Sequence, residues 1–383
     1  MRSGDLESTK GLLRRVLREF LQPDGRARTD WREIDSARAR FPYPELVQFA
    51  LKEALGFKSY GPAEKLRWSF PATFRDTPVY FALRKFGFAI GISAAPDVPP
   101  RIEDDLLVAL RQACRIVSRH LQARAREEIS RGNVSIKNRF DDFDRMYRFF
   151  REEASKAYRE PDAPPTSIRN QEGKVVGASY EMYRGPRHGF YFSKAMLDAY
   201  FSRLEHTLVL LLPFVGFNAS RESLPSFIAG RWGDKFKRVF DLAHNAQAQS
   251  LYEELRSAKE QYRDQLSHGG FERRGASLLV HLPRYGMYPA TLPEYKGADM
   301  EMFRIHIPEA TFEELCALLD RVDAFLKGSE TEFGMMFVRS GLNVAFDEDS
   351  RNEYLEAMET PEEFTDLISR QAYESERHMN MDY

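Results

Sequence analysis

Between Tyr262 and Phe271 the chain reads Tyr262-Arg263-Asp264-Gln265-Leu266-Ser267-His268-Gly269-Gly270-Phe271, which brings an arginine, a carboxylate and a histidine close together. This segment closes a stretch, Ala246 to His268, in which Leu251, Leu255, Ala258, Tyr262 and Leu266 recur at steps of three or four, the period of an amphipathic helix. The glycine pair stops that helix directly after the histidine. The imidazole is therefore expected at a helix C-terminus, where the macrodipole favours its protonated form, one turn from Asp264. Both effects raise its pKa from the ordinary value of about 6.5 and keep the acid form available at neutral pH. Arg263 adds a permanent cation whose planar fork suits a phosphate.

Such a set suffices for cutting RNA without a metal or cofactor. The histidine takes the 2′-hydroxyl proton or protonates the leaving 5′-oxygen, while the arginine stabilises charge growing on the phosphorane. One copy supplies one proton-transfer group, whereas in-line transesterification profits from two, so a symmetric homodimer with the site at its interface is expected. Arg256, Lys259 and Arg263, at i, i+3 and i+7, give the helix a basic stripe for an RNA backbone, continued by Arg273, Arg274 and Arg284. Tyr285, with Tyr288 nearby, is placed to stack on unpaired bases. A structural reading stands beside this one: Arg256 or Arg263 pairs with Glu260, and His268 caps carbonyls. Glu205 and His206, on an earlier apolar helix, are either a second catalytic pair or a carboxylate supporting a neighbouring cation beside a satisfied core histidine.

Arg-[Asn/Asp/His]-x3-His at the end of a bundle helix, followed by Gly, resembles the signature of the HEPN superfamily. Its members are helical bundles that often act as metal-independent endoribonucleases. Arg263, Asp264 and His268 match the pattern position by position, and the helix with Leu204, Glu205 and Leu208 to Leu212 is similar to a first bundle helix. The likeness spans about Phe192 to Leu326. One subgroup places Tyr two residues after the histidine; Gly270 stands there, which puts regulation through that tyrosine in doubt. The resemblance implies an endoribonuclease acting on single-stranded RNA or tRNA loops as a dimer, in a toxin, anti-phage defence or stress role, with an antitoxin or regulatory partner. The alternative is a silent nucleotide- or RNA-binding module or an interaction scaffold.

The elements that would position these residues follow from periodicity. Pro44 to Leu55 has helical spacing with Gly56 as its stop. From Leu66 to Ile92 the period becomes two: Leu66, Trp68, Phe70; then, after an Asp76-Thr77-Pro78 turn, Val79, Phe81, Leu83; then Phe86, Phe88, Ile90, Ile92. Three antiparallel strands are expected. Gly87, Ala89 and Gly91 leave the last one nearly bare on its second face, so that something can pack closely there. Helices follow over Ile102 to Arg131 and Phe140 to Tyr158, then the proline-rich Pro161-Asp-Ala-Pro-Pro-Thr-Ser. Beyond it lie helices at Lys194 to Leu212, Lys235 to Leu242 and Ala246 to His268, short strands at Ser277 to Leu282 and Met302 to Ile307, and a last helix opened by a Thr311/Glu314 capping box.

The class expected is α+β, mainly α: an N-terminal α+β domain with a small antiparallel sheet over 1–160, a proline-rich connection over 161–191, a HEPN-like helical domain with a short β element over 192–330, and an acidic C-terminal extension over 331–383. That extension carries 12 acidic residues against Arg351, Arg370 and Arg377 between Asp347 and Asp382. It either covers the basic site or is a solvated tail.

Composition sets the limits. The 383 residues, 30% charged with a formal net charge of −2, are neither a polycation nor a low-hydrophobicity acidic chain. Cys114 and Cys316 give no disulfide framework or zinc site, and no two of the eight histidines share the i, i+4 spacing of a helix-borne metal. No phosphate loop, G-x-S-x-G elbow, H-E-x-x-H or C-x-x-C occurs. Met1 to Glu19 lacks a secretory apolar segment, and the most apolar run, Thr207 to Phe217, is broken by Pro213. A cytoplasmic protein with no membrane contact is the expectation.

Overall fold

Period-two alternation closes the first core. In the computed structural model, which describes residues 3–23, 30–35, 37–161, 164–179, 184–263, 278–284, 286–290, 307–328 and 330–381, the chain is α+β and mainly α, with its largest sheet in the N-terminal part. It divides into two compact units, Met1–Arg131 with Asp366–Tyr383, and Gly132–Thr365.

In the first unit, strands β1 (Phe20–Leu21), β2 (Trp31–Glu33), β3 (Leu66–Phe74), β4 (Thr77–Arg84) and β5 (Gly87–Ser93) form one antiparallel sheet in the order β1-β3-β4-β5-β2. Trp68, Phe70 and Phe74, Val79 and Phe81, and Phe88, Ile90 and Ile92 point to one face, where helices α1 (Ser3–Val16), α2 (Ala37–Arg40), α3 (Glu45–Phe49) and α4 (Ile102–Ser130) bury Leu13, Ala37, Val47, Leu106, Leu110 and Val117 in the same core. Each such side chain contributes roughly 1.5–3 kcal/mol on leaving water, so this face fixes the register.

The turn after β3 lies earlier than the sequence suggested. Arg75 and Asp76 both take positive φ, 49° and 62°, and Thr77 already pairs with Phe74, which makes a two-residue hairpin of the type whose twist suits antiparallel strands. Pro78 is tolerated inside β4 because the ladder to β5 begins only at Val79. Gly91 has the packing role expected of a bare position: a Cβ there would lie 2.0 Å from the Tyr80 ring, which crosses it on the sheet's second face.

In the second unit, a short strand β6 (Ser135–Ile136) precedes α5 (Phe140–Tyr158), and α5 and α6 (Arg184–Leu211) pack along each other. Residues 161–191, read from sequence as a connection, hold a hairpin of β7 (Thr166–Arg169) and β8 (Val175–Ser179) and the first residues of α6. That helix begins ten residues before Lys194. Its glycines lower helix propensity yet permit contact: a Cβ on Gly185 would stand 2.6 Å from the Glu160 carbonyl, and one on Gly189 2.6 Å from the Tyr158 ring. The unit continues with α7 (Leu224–Ala229), α8 (Trp232–Val239), α9 (Ala246–Ala258) and α10 (Glu309–Gly328); α8 and α10 pack on α6, and α9 packs on α8 and α10. α10 buries Phe312, Leu315, Leu319, Val322 and Leu326 as its spacing required, but it starts at Glu309, so Thr311 lies inside the first turn and is not the cap. The acidic end is structured too: α11 (Glu332–Arg339) and α12 (Glu348–Ala357) supply Phe337 and Tyr354 to an aromatic cluster with Phe214 and Phe364. Strand Leu278–Leu282 is present and pairs with Gly286–Ala290, whereas residues 302–306 of the other expected strand lie outside the described residues.

A charge is sealed among these helices. The Arg203 side chain of α6 is only 6% exposed, donates to Asp144 of α5, and spans Asp323 of α10 at 2.6 and 2.7 Å. Its guanidinium also lies over the Tyr147 and Tyr200 rings, 4.5 and 4.7 Å from their centroids. Burial works against the charge, but Asp323, Tyr200 and Asp144 outweigh it and hold the group protonated well above its ordinary range. Removing one partner of such a set strands the others in a poorly hydrated site. Arg203→Ala is therefore expected to cost about 3–5 kcal/mol, read as a lower midpoint in urea unfolding, with Arg203→Lys recovering only part because an ammonium cannot fork to both carboxylates.

Candidate functional site

The apolar stripe that makes α9 a helix also delivers Arg263. Asn245 caps the start, its side chain accepting from the Ala248 N–H at 2.9 Å, and Leu251, Leu255 and Ala258 are buried. After Ala258 the coil widens into a π-helical turn, Lys259–Arg263. Wider turns of this kind recur at functional sites, and this one shifts Arg263 out of the line that α-helical spacing from Arg256 would give.

Arg263 docks onto α6. Its Nε donates to Asp198 Oδ1 at 2.8 Å, its guanidinium carbon lies 5.7 Å from the Phe201 ring centroid, and its side chain remains 28% exposed. Lys194, one turn before Asp198 and 3.8 Å from its carboxylate, donates to the backbone carbonyl of Arg263. A lysine thus anchors the Arg263 carbonyl. The result is a half-buried cation oriented by an acid, an aromatic face and a backbone anchor.

The other expected site residues divide into three groups. Asp264, His268, Arg273, Arg274 and Tyr285 lie outside the described residues. Arg256 is exposed and held by Glu260 at 3.0 Å and Glu253 at 3.5 Å, the local pairing that the sequence also allowed, so its charge is compensated in place; Lys259 is half-buried. Arg284 is exposed at the tip of the hairpin formed by β9 (Leu278–Leu282) and β10 (Gly286–Ala290), with φ of 73°. Glu260, offered as a partner of Arg263, pairs with Arg256, and among the described residues Asp198 is a carboxylate that Arg263 meets.

Glu205 and His206 are not a joined pair. Glu205 accepts from the buried Lys235 ammonium at 3.1 Å, while His206 Nε2 accepts the Arg139 backbone N–H, 2.9 Å away, at the start of α5. Burial, with the Arg139 charge, pushes the His206 imidazole below its ordinary value.

Sequence reading missed Asp198 and Lys194. Their i, i+4 spacing was visible, but nothing local says that α6 turns this face to the end of α9. It also missed Arg203, whose signal was a cation inside the apolar run from Met196 to Leu212. No family model, curated protein or solved structure matches the chain.

His206 makes stability depend on pH. Its folded-state value lies below that of the unfolded chain, so the contribution of the neutral ring is complete above about pH 6.5 and is lost as the pH falls below it. The melting temperature should drop across that interval. His206→Gln, which keeps an acceptor but does not titrate, should drop less; equal slopes would remove His206 as the cause.

Proposed function

We propose that the protein is a metal-independent endoribonuclease that cuts single-stranded RNA or tRNA loops, acting as a homodimer in the cytoplasm, in a toxin, anti-phage defence or stress-effector setting with an antitoxin or regulatory partner. The observation that carries this reading is Arg263: a cation docked on Asp198, pinned through its backbone by Lys194, and five residues before a histidine. A guanidinium held before substrate arrives needs little reorganisation to meet charge developing on phosphorus.

In the proposed step the 2′-oxygen attacks the adjacent phosphorus and the bond to the 5′-oxygen breaks. The products are a 2′,3′-cyclic phosphate and a 5′-hydroxyl. His268 of one protomer accepts the 2′-hydroxyl proton and His268 of the other donates a proton to the 5′-oxygen, with Asp264 orienting each ring. Arg263 neutralises the phosphorane. Single strands suit this geometry because in-line attack requires a backbone freed from helical stacking.

The test is incubation of the protein with total RNA in EDTA. Cleavage should leave 2′,3′-cyclic phosphate ends and should fall by about 10²–10⁴-fold in His268→Ala and about 10²–10³-fold in Arg263→Ala, with folding intact by circular dichroism. Asp198→Ala should slow cleavage less than Arg263→Ala does, because it frees the guanidinium without deleting it. If neither the wild type nor a variant cuts, but the wild type binds RNA and Arg263→Ala does not, the unit is a binding module. Cleavage by His268→Ala at the wild-type rate removes His268 from the mechanism.

A further inference from the structure

The second face of the N-terminal sheet carries a groove of about 440 Å³, a size that accepts a small organic ligand. Its floor is made of small side chains. Ser69 and Pro71 of β3 point to this face and are half-buried, with the buried Ala82 of β4 beside Ser69, so a flat group can approach β3 closely.

The walls are aromatic. Tyr60 bridges to Ser69 on the outer side of β3 and stands at one edge. Tyr80 of β4 forms the other, and Trp31 of β2 meets it edge-on with centroids 4.8 Å apart. The backbones carrying Tyr60 and Tyr80 are two strand spacings apart, about 10 Å, which leaves width for a ring lying on the floor between them. Tyr80 is fixed: its ring covers Gly91, its hydroxyl donates to Glu33 at 2.5 Å, and Arg84 lies over its ring at 5.5 Å while reaching Glu33 at 3.0 Å.

The two ends of the groove differ in polarity. Pro23 lies at one end, beyond Pro71. The other has Lys65, Glu64 and Arg84, brought together because Leu66 pairs with Arg84. Lys65 and Glu64 form an exposed pair at 3.2 Å, which is weak enough for a phosphate to displace the carboxylate. An apolar, aromatic-walled bed leading to a guanidinium and an ammonium matches a heteroaromatic ring joined to a phosphate.

We propose that this groove binds a nucleotide, with the base on the Ser69 and Pro71 floor beside Tyr80 and Trp31 and the phosphate at Lys65 and Arg84. Glu33 already occupies the Tyr80 hydroxyl, so stacking area and not edge hydrogen bonding sets preference, and purines bind more tightly than pyrimidines. The site stands whether or not the helical unit cuts RNA.

Trp31, 37% exposed, is the natural reporter, since Trp68 and Trp232 are buried. The full-length protein is titrated with adenosine, inorganic phosphate, the four nucleoside monophosphates and a 2′-O-methyl oligoadenylate that cannot be cleaved. The monophosphates should quench the indole, adenosine more weakly and phosphate alone not at all. Tyr60→Ala and Lys65→Glu should each weaken binding about tenfold with the fold unchanged, and Trp31→Phe should remove the signal. Quenching by monophosphates alone assigns the groove to free nucleotides; tighter quenching by the oligomer assigns it to a strand. Absence of quenching by either up to millimolar concentration overturns the proposal, as does quenching undiminished in both Tyr60→Ala and Lys65→Glu.

Discussion

The helical unit depends on keeping Arg203 charged where water barely reaches it. An isolated guanidinium in such a place would be costly, so its environment must supply carboxylates from two other helices at once, Asp144 and Asp323, together with the faces of Tyr147 and Tyr200. Apolar packing alone tolerates small slides of one helix along another. A forked cation with both ends engaged does not. The contact of Nη2 with both oxygens of Asp323 therefore fixes α10 against α6, while Nη1 on Asp144 fixes α5, and the Tyr200 hydroxyl lies 3.1 and 3.2 Å from Asp323 and the Leu319 carbonyl.

That register carries through to the candidate site. Asp198 and Arg203 lie on the same helix, so whatever locks α6 also sets where Asp198 meets Arg263. The two arginines differ in a way that suits different tasks. Arg203 is sealed and saturated, the condition of a structural charge. Arg263 is held at Nε by Asp198 and stays 28% exposed, so its charge still meets solvent.

How much of this was legible follows from what is local. The strands from Leu66 to Ser93 and the helix Phe140–Tyr158 were readable because one residue in two, or in three or four, must face a core. The early start of α6 was not, because Gly185 and Gly189 weaken a helix by propensity and only the nearby Glu160 carbonyl and Tyr158 ring explain their presence. Arg263 was visible through its spacing to His268, whereas Asp198 was hidden because its significance is purely tertiary. The π-helical turn was hidden as well: no residue between Lys259 and Arg263 announces a wider coil, and it altered the basic stripe inferred from α-helical arithmetic.

The close approach of Tyr80 to Gly91 has a consequence for descent. A single methyl at position 91 would lie 2.0 Å from a ring carbon, and the ring is tied through its hydroxyl to Glu33 and through its edge to Trp31. None of the four positions can change alone without disturbing the wall they build together. Across relatives of this chain, Gly91, Tyr80, Glu33 and Trp31 should be inherited as a set or lost as a set, and a lineage that loses them should show a differently furnished sheet face.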